Sequence, residues 1–292
     1  MKKTLLAITV AALAWTAANK TDSAALFSRD NLVAWCIVPF DAAKRAPEQR
    51  ARMLKQLGIT RFVYDWRDKD IPAFDQEIDA LNRHGIKLQG FWTPYPANPS
   101  RPNQLAAIVD LLKRRRIKTE LWLSLGQDKA FNELSHAAKV EAAAAAVAKV
   151  AAEARAIDCK VGLYNHGGWF GEPENQIEII QRLKLANVGL VYNFHHGHDH
   201  VARFPALLQK MLPHLLAINV NGMRAQGKIV PVGDGAHELD MLRAIRASGY
   251  RGPIGILGHR EELDAAESLT LNINGLKKLL RTMGEDAALK TY

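Results

Sequence analysis

The sequence predicts an α/β fold, a single-domain (β/α)8 TIM barrel preceded by a signal peptide. Three observations predict it. A chain of 292 residues with 48% apolar content can bury one full core, and barrels of this class commonly occupy that length as one domain. Short apolar runs rich in β-branched and aromatic residues alternate with stretches of helical period along the whole chain after residue 25. The unusual polar residues fall at the carboxyl ends of those runs, where such a barrel builds its active site.

Residues 1–25 stand apart from the barrel of residues 26–292. Lys2 and Lys3 precede an apolar run over residues 5–14, and small residues follow at Thr16, Ala17, Ala18, Ser23, Ala24 and Ala25. This is the order of a secretory signal, and the run is too short to span a bilayer, which takes about 20 apolar residues. The expectation is a signal peptide with a short linker, removed on export, and a periplasmic or secreted protein. With no lipobox cysteine after the signal, no membrane attachment is expected once it is cleaved.

The strand–helix units then follow in order. "LVAWCIVPF" (32–40) leads to "EQRARMLKQLG", where Met53, Leu54 and Leu57 share a face and Gly58 supplies a stop. "RFVYDW" (61–66) leads to "FDQEIDALNRHG", "KLQGFWTP" (87–94) to "QLAAIVDLLKRRR", and "TELWLSLG" (119–126) to the alanine-rich "VEAAAAAVAKVAAEARA". The alanines there reflect helix propensity and close packing. "KVGLYNH" (160–166) precedes "ENQIEIIQRLK", and "VGLVYNFHH" (188–196) precedes "FPALLQKML". "LLAINVNG" (215–222) precedes "ELDMLRAIRASG", and "GPIGILGH" (252–259) precedes "LNINGLKKLLRTMG". No linker or composition break divides the series.

Charge and cysteine content narrow the function. Part of the formal net charge of +9 sits in "KRRRIK" (113–118) at the end of a predicted helix, where cations complement the helix dipole. No aromatic residues interleave with it, so no nucleic-acid partner is expected. Cys36 and Cys159 lie in apolar runs and read as buried thiols, and no C-x-x-C pair exists for zinc.

Each strand end carries polar or aromatic residues. They are Asp41 after the first; Asp65, Trp66 and Arg67; Trp92, Thr93 and Tyr95; Ser124 and Gln127; Asn165 and His166; Asn193, His195 and His196; Asn219 and Asn221; and His259 after the eighth. "LVYNFHHGHDH" (190–200) packs four of the chain's ten histidines into six positions. His166, His196 and His259 converge if their strands share one rim, and three neutral imidazoles suit a divalent ion such as Mn, Zn, Co or Ni. Strand alternation sends adjacent side chains to opposite faces, so only one of His195 and His196 is expected to face the axis unless the strand has already broken. His198 is expected to face substrate. In "YNHGGWFGEPENQ" (164–176), Trp169 offers a face for a sugar ring, as does Trp92. Glu172 reads equally as a general base, a fourth ligand or an acid favoured by the helix dipole. Lys44, Asp65, Arg67, Asn165, Asn193 and Asn221 are candidates for binding hydroxyls or anionic groups.

On the stretches "AWCIVPFDAAKRAPEQRARMLKQLGITRFVYDWR", "YNHGGWFGEPENQ", "YNFHHGHDH" and "GPIGILGH", the chain resembles the xylose isomerase-like TIM-barrel superfamily of sugar isomerases and epimerases. It looks like an exported branch that processes 3-keto-glycosides. Members typically hold a divalent metal with Glu, Asp, His and Glu from strand ends. Here those ends carry Tyr164, Asn165 and His166, then Asn193 and His196, then Asn219, then His259, so several carboxylates are replaced. The resemblance implies a small-molecule carbohydrate substrate and a divalent-metal-dependent lyase. It would abstract the C2 proton of a 3-keto-glycoside and expel the aglycone, with His166, Glu172 and His196 as candidate bases. A sugar isomerase or epimerase working through the same enediolate, and a carbohydrate-binding barrel without catalysis, are the alternatives. Endonuclease IV-like DNA cleavage fits poorly with an export signal and no basic-aromatic groove.

Overall fold

The computed structural model describes residues 25–98, 100–224, 227 and 229–292. The first 24 residues of the expected signal segment lie outside the described residues. Among the described residues no helix is long and apolar enough to cross a membrane.

Eight parallel strands close into a barrel in sequence order. They are β1 (Leu32–Trp35), β2 (Arg61–Tyr64), β3 (Lys87–Pro96), β4 (Glu120–Gly126), β5 (Lys160–Tyr164), β6 (Val188–Asn193), β7 (Leu215–Val220) and β8 (Ile254–Leu257). Closure comes from β1 pairing with β8, Leu32 against Ile254 through Trp35 against Leu257. The major helices are α1 (Pro47–Gln56), α2 (Phe74–Arg83), α3 (Leu105–Arg114), α4 (His136–Arg155), α5 (Pro173–Leu183), α6 (Phe204–Met211), α7 (Glu238–Ala247) and α8 (Ala265–Met283). Local chemistry starts several of them: Ser135 Oγ accepts from Ala138 N–H at α4, Asp264 accepts from Ala266 N–H at α8, and Pro47 opens α1.

Strand alternation divides the apolar residues into two layers. One side packs under the helices; the other, including Val33, Trp35, Val63, Trp122, Tyr164, Val191, Ala217 and Leu257, fills the barrel axis. Trp122 fits there because β3 carries Gly90, where a Cβ would lie 2.9 Å from the indole Nε1. The axis is thus a packed aromatic column, and the polar ends of the strands stand above it.

Two loops are tied down by buried acids. After β1 the backbone turns at Cys36, whose φ is 55°. Asp41 then accepts from the N–H groups of Ala43, Arg45 and Ala265, while Arg45 bridges Asp41 and Asp264 at 2.7 and 2.6 Å. The first loop is thereby fastened to the amino end of α8. After β7, Glu238 accepts from the N–H groups of Met223, Gly233, Gly235 and His237. Much of the basic run at the end of α3 is in ion pairs: Arg114 with Asp75 and Asp110, Arg115 with Asp79, and Lys118 with Asp158.

Candidate active site

The mouth of the barrel holds two adjoining spaces. The inner one, about 50 Å³, is lined by Trp35 and Cys36 from β1 and its end, Asp65 and Arg67 beyond β2, Trp92 of β3, Tyr164 and His166 from β5, Asn193, His195 and His196 from β6, Phe40 and His259. The outer basin, about 490 Å³, is lined by His195, His196, His198, Asp199, Val201, Arg224, Gly227 and His237. His195 and His196 belong to both walls.

The floor is aromatic and held by hydrogen bonds. The Trp35 indole donates to the Tyr164 hydroxyl at 3.1 Å, the Asn193 amide donates to the same oxygen, and Trp35 meets Trp122 edge-on at 5.0 Å. Burial holds the Tyr164 phenol well above its ordinary pKa, so it stays protonated.

Above the floor the histidines form a row. Ring centroids lie 4.7 Å apart for His166 and His196, 4.4 Å for His196 and His195, and 5.2 Å for His195 and His259; Phe40 covers His259 at 3.8 Å. Both His195 and His196 reach the site because β6 ends at Asn193. Residues Phe194–His196 form a 3-10 turn, with Asn193 Oδ1 accepting from His195 N–H. The strand has broken, and the alternation rule no longer applies. Burial first, then the neighbouring imidazoles, push His196 down to about 2 and His195 to about 4. His166 keeps an exposed edge, yet crowding by Trp92, Tyr164 and His196 lowers its pKa, with Arg67 adding to the effect. His259 is lowered by burial as well. The row is uncharged at neutral pH.

Across the inner pocket, Asp65 is 2% exposed. Val38 N–H donates to its Oδ1 at 3.2 Å, and its Oδ2 has no hydrogen-bond partner among the described residues. Burial pushes its carboxyl up to about 7 against the opposing pull of Arg67. Arg67 itself curls back to donate to the Asp65 and Trp66 carbonyls, and its guanidinium lies 5.8 Å from the centre of the Phe40 ring.

The structure brings His166, His196, His259, Asp65, Arg67, Trp92 and Asn193 to the inner pocket and His198 to the basin. The remaining candidates lie elsewhere. Glu172 is held by His200 at 3.1 Å and Arg203 at 3.2 Å and lines neither space. Lys44 is exposed, with φ 46°, on the turn made by Asp41. Trp169 donates to His136 at 3.2 Å and packs on Phe131, which turns it toward the helix layer. Asn165 is fully buried as a tie between strands, its Oδ1 accepting from Asn193 N–H and its Nδ2 donating to the Asn193 carbonyl. Asn193 lines the pocket, but both ends of its amide are engaged, with Tyr164 and His195. Asn221 is buried and donates to the Gly222 carbonyl. His237 and Arg224 were not expected at the site; they arrive on the long loop after β7, whose sequence carries no periodic signal.

The expected metal triad does not form. His166, His196 and His259 stand along a row with His195 between the last two, and no three His, Cys, Asp or Glu side chains among the described residues converge as ligands for one ion. The residues present do not fit a divalent-metal centre, which needs three donors around a common point.

No family model matches the sequence, and no curated protein matches it. Solved structures do resemble it. An IolI protein with a bound zinc atom matches at 12% identity and a TM-score of 0.68, over 86% of this chain and 98% of that one. The 3-keto-D-glucoside 4-epimerase YcjR of E. coli matches at 13% identity and 0.62, over 87% and 99%. The probable 3-DHS dehydratase AsbF of Bacillus anthracis matches at 11% identity and 0.67, over 84% and 98%. What the chain shares with these structures is the fold, a closed eight-stranded (β/α)8 barrel.

Proposed function

We propose that this chain is a carbon–oxygen lyase acting on 3-keto-glycosides, in which a neutral imidazole of the His195–His196 pair takes the C2 proton and the aglycone leaves C1. One observation carries the reading: the pair forms the wall between the inner pocket and the outer basin. At about 50 Å³ the inner pocket is far below the roughly 300 Å³ at which small-molecule sites begin. It admits the ketone edge of a pyranose and leaves the remainder to the basin. A ring lying across the wall has C3 inside, C1 outside and C2 at the imidazoles.

The chemistry follows from those positions. A ketone at C3 acidifies the C2 proton, and an imidazole kept neutral by burial is free to accept it. Once protonated, the same ring can deliver that proton to the departing aglycone oxygen. Trp92 and Phe40 present aromatic faces to the C–H surface of the ring. The basin, with Arg224, His237 and Asp199, suits a polar aglycone. Fold neighbours named as a keto-glucoside epimerase and a probable dehydratase support a substrate with an acidified C–H beside a carbonyl. No step is assigned to a metal ion, because the histidine row offers no ligand set.

Proton NMR of the protein with 3-keto-glucosides in deuterated buffer tests the reading, with chelator and with added zinc. Loss of the C2 signal together with aglycone release is expected. Exchange without release would mean an isomerase or epimerase. No exchange under any condition would leave a carbohydrate-binding barrel.

A further inference from the structure

We propose that the Asp65 carboxyl, in its protonated form beside Arg67, donates a hydrogen bond to the substrate carbonyl oxygen in the inner pocket and so supplies the electrophilic assistance that a divalent ion would otherwise give. The inference rests on the keto-sugar reading and goes beyond it by assigning the group that stabilises the enolate.

Geometry carries the argument. Asp65 is 2% exposed and lines the inner pocket opposite the histidine row, with Oδ1 occupied by Val38 N–H and Oδ2 free. A buried carboxyl oxygen without a partner is costly unless it is protonated or meets a ligand. The surrounding groups decide which. Arg67 at the end of its own strand, Arg50 from α1 and the Val38 N–H favour the carboxylate, while the Cys36 thiol and the Tyr64 and Tyr164 phenols give it no positive charge to pair with. Burial outweighs the cations and keeps the acid form available up to about neutral pH. The two sides of the pocket thus hold a carboxylic acid and uncharged bases, a separation that assigns an acid and a base.

The protons and electrons balance without an outside reactant. The imidazole gains the C2 proton, the electron pair moves into the C2–C3 bond, and the carbonyl oxygen takes the charge while Asp65 passes its proton to it. The resulting carboxylate lies beside Arg67. On collapse the oxygen returns that proton to Asp65, C3=O reforms, the C2–C3 π pair shifts to make a C1=C2 double bond, the C1–O bond breaks with its pair on the aglycone oxygen, and the imidazolium proton goes to that oxygen.

The test uses the full barrel after chelation, with Asp65→Asn and Asp65→Ala, both checked for folding by circular dichroism. Wild-type C2 exchange should persist after chelation and fall as pH rises through about 7. Asp65→Asn should exchange more slowly and lack that alkaline limb, and Asp65→Ala should lose about 10²-fold or more. Equal rates and an unchanged limb in both variants would overturn the proposal. A readout without turnover uses 4-pyranone labelled with ¹³C at its carbonyl. Binding should move that resonance downfield at pH 6, and the shift should vanish in Asp65→Ala. If no keto-glycoside reacts but this shift depends on Asp65, the substrate reading has failed and the carbonyl site stands. No Asp65-dependent shift overturns the carbonyl site itself.

Discussion

His196 stays neutral because of its neighbours. An isolated imidazole is half protonated near pH 6.5, but burial and the four neighbouring imidazoles of His195, His166, His259 and His198 hold this one to about 2. Neutrality at working pH is what a proton acceptor requires, although so low a value limits its driving force. Pairing with His195, at about 4, gives the wall a second ring to share the proton. His196→Gln should therefore lower the rate of C2 exchange by about 10²–10⁴-fold, whereas Glu172→Gln, whose carboxylate is held by His200 and Arg203, should leave it within a few-fold. Isotope exchange measured by NMR checks both, and equal losses would return Glu172 to the site. The histidine content of this stretch was plain in the sequence. The role of each ring was not, because it depends on where β6 stops.

At the scale of elements, buried acids shape the two loops that frame the site. Glu238 is 2% exposed and accepts four backbone N–H groups from the segment after β7, the same segment that brings Arg224 and His237 to the basin. Glu238→Ala leaves those donors unpaired and should cost about 2–4 kcal/mol, seen as a lower midpoint in urea unfolding, together with weaker binding of substrates with polar aglycones. An unchanged midpoint would mean that the loop does not depend on this acid. Likewise Gln127 holds the turn after β5, accepting from Phe170 N–H and donating to the Gly167 carbonyl. Gly168 is needed there: its φ is 63° and a Cβ would stand 2.6 Å from the Gln127 amide. The strands and helices were legible as alternating apolar periods. These polar staples were not, since their partners are backbone groups that the sequence does not distinguish.

For the whole molecule, the acid and the histidines impose opposite pH dependences on stability. Between about pH 4 and 7 the folded chain keeps a proton on Asp65 that the unfolded chain releases, so this contribution falls as pH rises, by about 4 kcal/mol in full. His195 and His196 behave in the reverse sense: below about pH 6.5 the unfolded chain binds protons that the fold excludes, so stability falls as pH drops. Asp65→Asn removes only the first trend, and its stability relative to wild type should improve steadily from pH 4 to 7 and then level off. Urea unfolding at pH 5 and pH 8 measures this; a difference independent of pH would mean that Asp65 does not keep its proton. Local periodicity and turn residues were enough to determine the order of eight strands and helices and the placement of the polar residues at one rim, because these are properties of neighbouring positions. Tertiary structure alone decided that the imidazoles form a row and not a metal triad, that Asn165 and Asn193 tie strands together, that Glu172 turns to His200, and that Asp65 is shut away from water. Each of these depends on contacts between segments distant in sequence and on the burial that follows from them.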